Sequence, residues 1–328
     1  MSAVDTTLDT ASLRSGRHGH RGDAVFRAIT LAAGIFVFVL LGAIAVFLVI
    51  KALPALRDNQ ANFWTTRTWS ATNGDVHFGI AALLFGTVVT SVLALVISLP
   101  LAIGVALYIV EYAPARLSTW LGYLTDMLAA VPSVVYGLWA LLYLLKHMAG
   151  LNEFLVRYFH WIPLFSNPNN QTLVYSKSIF AASIILAIMI LPITAAISRE
   201  VLRQVGSAQK EAALALGATR WEMVRTSLLP PSRPGIVSAA MLGLGRALGE
   251  TIAVALVIGN TYTTSGRVLI PGGATIASNI ANLFGEADET GRSALIASGL
   301  VLFVLTLAVN LIARYVILRA GSEEHTAI

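Results

Sequence analysis

Long runs of apolar residues, free of Asp, Glu, Lys and Arg, alternate along the chain with shorter polar stretches. A helix needs about 20 such residues to cross the hydrocarbon core of a bilayer. One run must be extended backwards through Asp126, and another is interrupted by Arg246 and Glu250. The pattern predicts an all-α fold with six transmembrane helices. Their predicted bounds are residues 28–50, 79–110, 117–145, 178–198, 234–258 and 293–317.

The polar segments complete the predicted organisation. Residues 1–27 are expected to form a disordered cytoplasmic tail, residues 28–320 the membrane domain, and residues 321–328 a second cytoplasmic tail. Six crossings place both termini on one side. That side carries 13 Lys and Arg residues and the opposite side 8. The excess predicts cytoplasmic termini, because positive residues are enriched in cytoplasmic loops.

Composition supports a membrane protein and excludes several other classes. Hydrophobic residues make up 56% of the chain and charged residues 12%, whereas soluble domains carry roughly 25% charge. The composition therefore argues against a soluble enzyme, a nucleic-acid binder and a disordered chain. The chain has no Cys, which excludes a disulfide framework and a Cys nucleophile. It also has no H-E-x-x-H motif, and we predict neither a catalytic site nor a metal site.

Residues 199–233, between the fourth and fifth predicted helices, are polar yet patterned like ordered structure. Ser207 is a predicted N-cap, and Gly217 follows the helix where a left-handed residue is preferred. Thr219 and Glu222 have the spacing of a capping box. Pro230-Pro231 are predicted to stop the second helix. The sequence thus predicts a helix, a glycine elbow and a second short helix.

The first of these two helices has a face of small residues, Ala208, Ala212 and Ala215. Lys210, Arg220 and Arg225 are expected to surround it with positive charge. Such a surface suits docking against another protein. From composition alone, an amphipathic connector lying on anionic lipid remains an equal alternative.

The fifth predicted helix holds the two charges that are hardest to explain by packing. Arg246 falls near the middle of the bilayer, where ionisable residues are costly and mark functional sites. Glu250 follows four residues later, so the two are predicted to share a helix face, where they can pair. Gly243, Gly245 and Gly249 are expected to admit a neighbouring helix. Two interpretations stay open, a neutral pair that fixes packing and a polar lining that attracts an anion.

Two further segments yield weaker expectations. Asp126 is expected to reach the interface or a helix partner rather than substrate. Asn279–Phe284 is a candidate for a short amphipathic helix along the outer interface.

The chain has no G-x-x-x-x-G-K-[ST] phosphate loop. If transport is driven by ATP, a separate subunit must therefore hydrolyse it.

Glu211-Ala212-Ala213, followed by Gly217 and later by Leu229-Pro230, resembles the EAA loop of binding-protein-dependent ABC importer permeases. Ser227 departs from the family pattern, which has an aliphatic residue there. We call residues 199–233 the EAA loop. The resemblance implies a type I importer permease architecture, in which these six residues couple the permease to an ATPase. It also implies that ATP and Mg bind to that ATPase and that this chain holds no cofactor.

Residues 245–254, Val257-Ile258-Gly259-Asn260 and residues 128–139 resemble the phosphate-specific transporter permeases, and the PstC-type subunit more than the PstA-type. The resemblance implies a multi-pass protein of the bacterial cytoplasmic membrane that forms a phosphate path through Arg246, Glu250 and Thr251. The implied partners are a PstA-like second permease in a heterodimer, two PstB-like ATPase subunits and an extracytoplasmic PstS-like phosphate-binding protein.

Two alternative functions remain open from the residues. The first is an importer permease for another oxyanion, such as sulfate or molybdate, although the motif from Gly245 to Glu250 favours phosphate. The second is an ion-coupled secondary carrier, which would have no need of the EAA loop.

Overall fold

The computed structural model describes residues 19–72, 75–167, 173, 176–262 and 266–322. The chain divides into two units, residues 1–49 and residues 50–328. In the first unit, the described part is one helical stretch whose apolar side chains are almost all exposed. Residues 1–18 of the predicted N-terminal tail and residues 323–328 of the C-terminal tail lie outside the described residues.

The described residues are mainly helical. In chain order the helices are α1 (Gly19–Asp58), α2 (Ala81–Leu107), α3 (Ala115–Ala129), α4 (Ser133–Trp139), α5 (Leu145–His147), α6 (Ala149–Phe159), α7 (Ile179–Arg203), α8 (Ser207–Ala215), α9 (Arg220–Met223), α10 (Leu229–Leu248), α11 (Ile252–Val257), α12 (Ile276–Leu283) and α13 (Glu289–Ser322). Three π-helical turns, Tyr108–Tyr112, Ala140–Leu144 and Val224–Leu228, continue α2, join α4 to α5 and join α9 to α10. Pro163–Phe165 forms a 3₁₀ turn.

Among the described residues, four helices are long and apolar enough to cross a membrane: Gly22–Asp58, Ala81–Tyr112, Ile179–Arg203 and Glu289–Tyr315. They match the first, second, fourth and sixth predicted segments. The third segment is bent by 88° between Ala115–Ala129 and Ser133–His147 and counts as a fifth span if the pair crosses together. The fifth predicted segment is split into α10 and α11, so the count of six is not confirmed.

The bend in the third segment follows from its sequence. Pro132 precedes Ser133 and adopts an extended conformation, with φ −60° and ψ 138°. Its ring prevents a regular helical hydrogen bond, so the helix ends at Ala129 and a new one begins. The Tyr136 hydroxyl donates to the Leu128 carbonyl oxygen at 2.9 Å, which satisfies an acceptor that the bend leaves free.

The centre of the second unit is α7, which packs along α2 and also contacts α10 and α3. Ile185, Leu186, Met189 and Ile190 on α7 are at most 2% exposed. The buried side of α2 consists mainly of small residues at helical spacing, and small residues allow neighbouring helices to approach closely. These small buried residues of α2 include Thr87, Thr90, Ser91, Ala94, Ser98 and Ala102.

A small β-hairpin interrupts the helices, which the hydrophobic pattern did not predict. Strands β1 (Trp69–Thr72) and β2 (Asp75–Phe78) pair antiparallel, with Trp69 opposite Phe78. Phe78 is fully buried and contacts Trp69 with ring centroids 5.3 Å apart. The short helix expected at Asn279–Phe284 is present as α12, which begins at Ile276 behind a capping box made by Thr275 and Ser278.

Candidate functional site

The fifth predicted helix is broken beside its two charged residues. α10 ends at Leu248 and α11 begins at Ile252, so Gly249, Glu250 and Thr251 lie between them. Glycine favours such a break because it is about 1 kcal/mol less favourable than Ala in a helix interior. The break leaves backbone groups without the regular helical ladder, in a segment whose neighbours are apolar.

Arg246 lies in the last turn of α10 and is half-buried. Its Nε is buried and has no hydrogen-bond partner in the described part of the chain. Within the described residues, Arg246 and Glu250 form no ion pair. Of the two interpretations left open by the sequence, the neutral pair is therefore not observed, because the helix that would hold the two side chains on one face ends between them.

Glu250 instead supports the break. Its Oε1 accepts a hydrogen bond from the Ala253 amide at 3.2 Å, so the carboxylate caps the N-terminal turn of α11. The Thr251 hydroxyl donates to the Gly249 carbonyl oxygen at 3.2 Å. Both side chains are thus occupied with backbone groups, and the guanidinium of Arg246 keeps a donor and its charge for another partner.

The broken fifth segment packs against the bent third segment. α11 contacts α4, where a Cβ added to Gly137 would lie 2.8 Å from the Cα of Ala253. Gly243 serves the close approach expected of it, since an added Cβ would lie 2.9 Å from the Thr194 hydroxyl on α7. Gly245 has nothing within 4 Å and so does not serve packing within this chain. Gly137, which was not predicted to have a packing role, does serve packing within the chain.

The EAA loop folds largely as its local sequence predicts. Gly217 has φ 87°, the left-handed conformation expected of it. Thr219 and Glu222 form the predicted capping box, with 2.8 Å from the Thr219 amide to Glu222 Oε2. That backbone hydrogen bond, with a second from the Thr219 hydroxyl, holds the pKa of Glu222 below its usual range. Ser207 is not the N-cap but the first helical residue, after Gly206.

The predicted stop at Pro230-Pro231 is wrong. The chain stays helical from α9 through the π turn Val224–Leu228 into α10. Pro230 lies in the first turn of α10, directly after the π turn, where the regular ladder of helical hydrogen bonds is already interrupted. The second helix of the EAA loop therefore runs directly into the broken helix that carries Arg246.

The residues matched to the EAA pattern divide between an inner and an outer face. Ala213 and Leu229 are half-buried and pack against a cluster formed by Ala106, Leu202, Met223, Val224 and Leu228. Pro230 is also half-buried. Glu211, Ala212 and Gly217 are exposed. Beside them lie three exposed apolar side chains that the sequence did not single out, Leu214, Leu216 and Trp221.

Two ion pairs tie this region to other helices. Arg199 on α7 donates from one nitrogen to both Asp126 oxygens, at 3.1 and 3.2 Å, and from another to Thr125 at 3.2 Å. The expectation of a helix partner for Asp126 is confirmed. Lys210 Nζ lies 2.6 Å from Glu111 Oε1. Lys210 is therefore neutralised by Glu111 instead of adding charge to the exposed surface.

Comparison with known proteins identifies the family of the chain. Residues 98–321 match the family described as "Binding-protein-dependent transport system inner membrane component". "Phosphate transport system permease protein PstC 2" of Mycobacterium tuberculosis is 43% identical over 300 residues, covering 91% of this chain and 92% of that protein. "Phosphate transport system permease protein PstC" of Mesorhizobium japonicum is 40% identical over 334 residues, covering 98% and 99%.

Solved structures share the fold at low identity. A bacterial ABC transporter involved in the import of the acidic polysaccharide alginate matches with a TM-score of 0.57 and 19% identity, covering 91% of this chain and 96% of that one. An inward-facing MetNI methionine ABC transporter matches with a TM-score of 0.52 and 16% identity, covering 73% and 96%. These likenesses show the importer permease fold alone.

Proposed function

Because the chain belongs to the family of binding-protein-dependent transport system inner membrane components, and among them to the PstC permeases, we propose that it is a permease subunit of an ATP-driven phosphate importer. The observation that carries the proposal within the chain is Arg246. Its charge is not neutralised by Glu250, and its Nε is buried without a partner at a helix break. A half-buried cation of this kind stabilises an anion that enters the site.

A guanidinium suits phosphate because its planar fork donates two parallel hydrogen bonds to two oxygens. In the proposed path, Arg246 binds the anion, while Glu250 and Thr251 hold the broken backbone beside it. The bent segment packed on α11 forms one wall. The opposite wall belongs to a second, PstA-like permease, with which this chain forms a heterodimer.

The free energy of ATP hydrolysis reaches the permease through the EAA loop. We propose that Glu211, Ala212 and Gly217, with the exposed side chains of Leu214, Leu216 and Trp221, dock into one of two PstB-like ATPase subunits. Ala213, Leu229 and Pro230 act from behind by fixing the loop on the membrane helices. The chain itself is a transport subunit without a cofactor; ATP and Mg bind to the ATPase.

The chain lies in the bacterial cytoplasmic membrane as a multi-pass protein with both termini in the cytoplasm. The Lys and Arg excess on the terminal side supports this orientation. The hairpin β1–β2 and α12 then face outward, where a PstS-like binding protein delivers phosphate.

The relatives named for phosphate transport favour phosphate over sulfate or molybdate. An exposed coupling surface on α8 and α9 favours an ATP-driven importer over a secondary carrier. Alternating access then requires that ATP stabilise one conformation more than the other, through contacts that differ between them.

Uptake of labelled phosphate into proteoliposomes tests the proposal. The complex of this chain with its second permease and ATPase, supplied with binding protein, should accumulate phosphate only with ATP, and excess sulfate or molybdate should not compete. Arg246→Ala should abolish uptake with the complex intact, and Arg246→Lys should restore it only in part. Uptake driven by a proton gradient without ATP would contradict the importer, and normal uptake by Arg246→Ala would contradict the path.

A further inference from the structure

The ion pair between Lys210 and Glu111 joins the EAA loop to a helix 99 residues earlier in the chain. Its partners lie 2.6 Å apart, and their side chains are 20% and 12% exposed. A charge-assisted hydrogen bond that is largely shielded from water is stronger and less sensitive to salt than an exposed pair. Lys210 directly precedes Glu211, so this contact fixes the helix that carries the exposed docking residues.

Apolar packing surrounds the ion pair. The inner end of α2 contributes one fully buried residue, Ala106, and two that are partly buried, Leu107 and Val110. They pack against residues of α7, α8, α9 and the following turn, namely Leu202, Ala213, Met223, Val224 and Leu228. The end of α2 and the EAA loop therefore form one packed cluster.

The end of α2 has an unusual backbone that positions Glu111. Residues Tyr108–Tyr112 form a π-helical turn. Such a turn accommodates one extra residue, which rotates the following side chains by roughly 100° relative to a regular helix. Glu111 lies inside this turn, so its direction toward Lys210 depends on it. π turns are rare and occur frequently at functional positions.

The other end of α2 is attached to the segment that follows the broken helix. The Thr87 hydroxyl accepts a hydrogen bond from the Ile276 amide at 2.9 Å. Gly86 has no room for a Cβ because the Ala274 carbonyl lies against it. Ile80 and Leu83 share a buried cluster with Ala274 and Ile276. α2 is therefore attached to the start of α12 at this end, as it is attached to α8 through Glu111 at the other.

We propose that α2 is a strut that carries movement between α8 and α12, and that Lys210 and Glu111 are the positioning residues that engage it. The helical stretch Ala81–Tyr112 has 32 residues, which at 1.5 Å each gives a length of about 48 Å. This inference rests on the proposed function because it takes α8 to be the element that an ATPase moves. ATP binding would then displace α12 through α2, in addition to its effect on α10 through α9.

A label on α12 reads this movement directly. The chain has no Cys, so Ala281→Cys at an exposed position of α12 gives a single attachment site for an environment-sensitive fluorophore. The labelled chain is assembled in nanodiscs with its second permease and ATPase, both made free of cysteine. Fluorescence is compared without nucleotide and with the non-hydrolysable ATP analogue Mg-AMP-PNP, in the absence of phosphate.

We expect a nucleotide-dependent fluorescence change that is lost in Lys210→Ala and in Glu111→Gln, with the ATPase still co-purifying and still hydrolysing ATP. The reversed pair, Lys210→Glu with Glu111→Lys, should restore the change. Gln209→Ala, at the exposed position next to Lys210, is the matched control and should leave the change intact.

Four results would overturn the strut. The first is that Ala281→Cys alone shows no fluorescence change with nucleotide, and the second is that the change persists in both single variants. The third is that the reversed pair does not restore the change. The fourth is that both single variants lose the ATPase, which would make the ion pair a contact needed for assembly. Since the signal is read without phosphate, failure of phosphate uptake would contradict the proposed function and leave this measurement unchanged.

Discussion

At the scale of single residues, Arg246 and Glu250 have different tasks although they are four positions apart. Glu250 caps α11 through the Ala253 amide, and no carboxylate among the residues that the structure describes neutralises Arg246. An arginine with a buried, unpartnered donor is costly in an apolar segment unless an anion visits it. The separation of the two charges is thus the feature that most favours a binding role for Arg246.

If Glu250 acts as a cap, its hydrogen-bonding oxygen matters more than its charge. Glu250→Gln keeps an amide oxygen that accepts from Ala253, and we expect it to retain most phosphate uptake. Glu250→Ala removes the acceptor and should reduce uptake strongly. Uptake by proteoliposomes, normalised to assembled complex, checks both. Equal loss in the two variants would show instead that the negative charge is required.

The effect of replacing Gly137 on stability can be predicted from the distance to its nearest neighbouring atoms. Gly137→Ala places a Cβ 2.8 Å from the Cα of Ala253. Because the contacted atom belongs to the backbone, it cannot move away without a large cost in free energy. Overpacking of this kind costs about 1–3 kcal/mol, and the thermal unfolding midpoint in detergent should fall. Gly104→Ala in α2, with nothing within 4 Å, is the control and should leave the midpoint unchanged or higher. Equal midpoints for the two variants would contradict the close packing of α4 on α11.

At the scale of elements, the EAA loop depends on one backbone conformation. Gly217 has φ 87°, which costs an L-residue roughly 1–2 kcal/mol and which proline cannot adopt. Gly217→Pro should therefore uncouple transport, lowering the phosphate moved per ATP hydrolysed while the chain still inserts. Gly206→Ala, at φ −58° with open space around it, should change nothing. Normal coupling in Gly217→Pro would refute the docking role.

The sequence predicts the parts of this loop that are set by neighbours in the chain. The left-handed Gly217 and the capping box of Thr219 and Glu222 each involve at most four consecutive residues. The contact between Lys210 and Glu111 joins residues 99 apart, and no periodicity encodes it. The prediction at Pro230 was wrong because proline usually ends a helix, whereas here it lies in the first turn of α10, which continues directly from a π turn.

At the scale of the whole chain, hydrophobic runs located the helices but not their breaks. The 88° bend and the split between α10 and α11 lie inside apolar stretches, so a hydropathy count sees continuous spans. Such breaks require neighbouring groups to satisfy the freed backbone. Tyr136 and Glu250 supply them, and neither role is visible before the segments are folded against each other.

The proposed orientation makes a prediction about opposite ends of the molecule. Leu216 on the EAA loop and Ala281 on α12 are both exposed, and a chain without Cys allows each to be replaced singly by cysteine. With cytoplasmic termini, a membrane-impermeant maleimide should label Ala281→Cys in spheroplasts and Leu216→Cys only in inverted vesicles. The reverse pattern would place the EAA loop outside, where it cannot meet an ATPase. Labelling of both from one side would contradict the arrangement of α2 as a helix that connects the two faces.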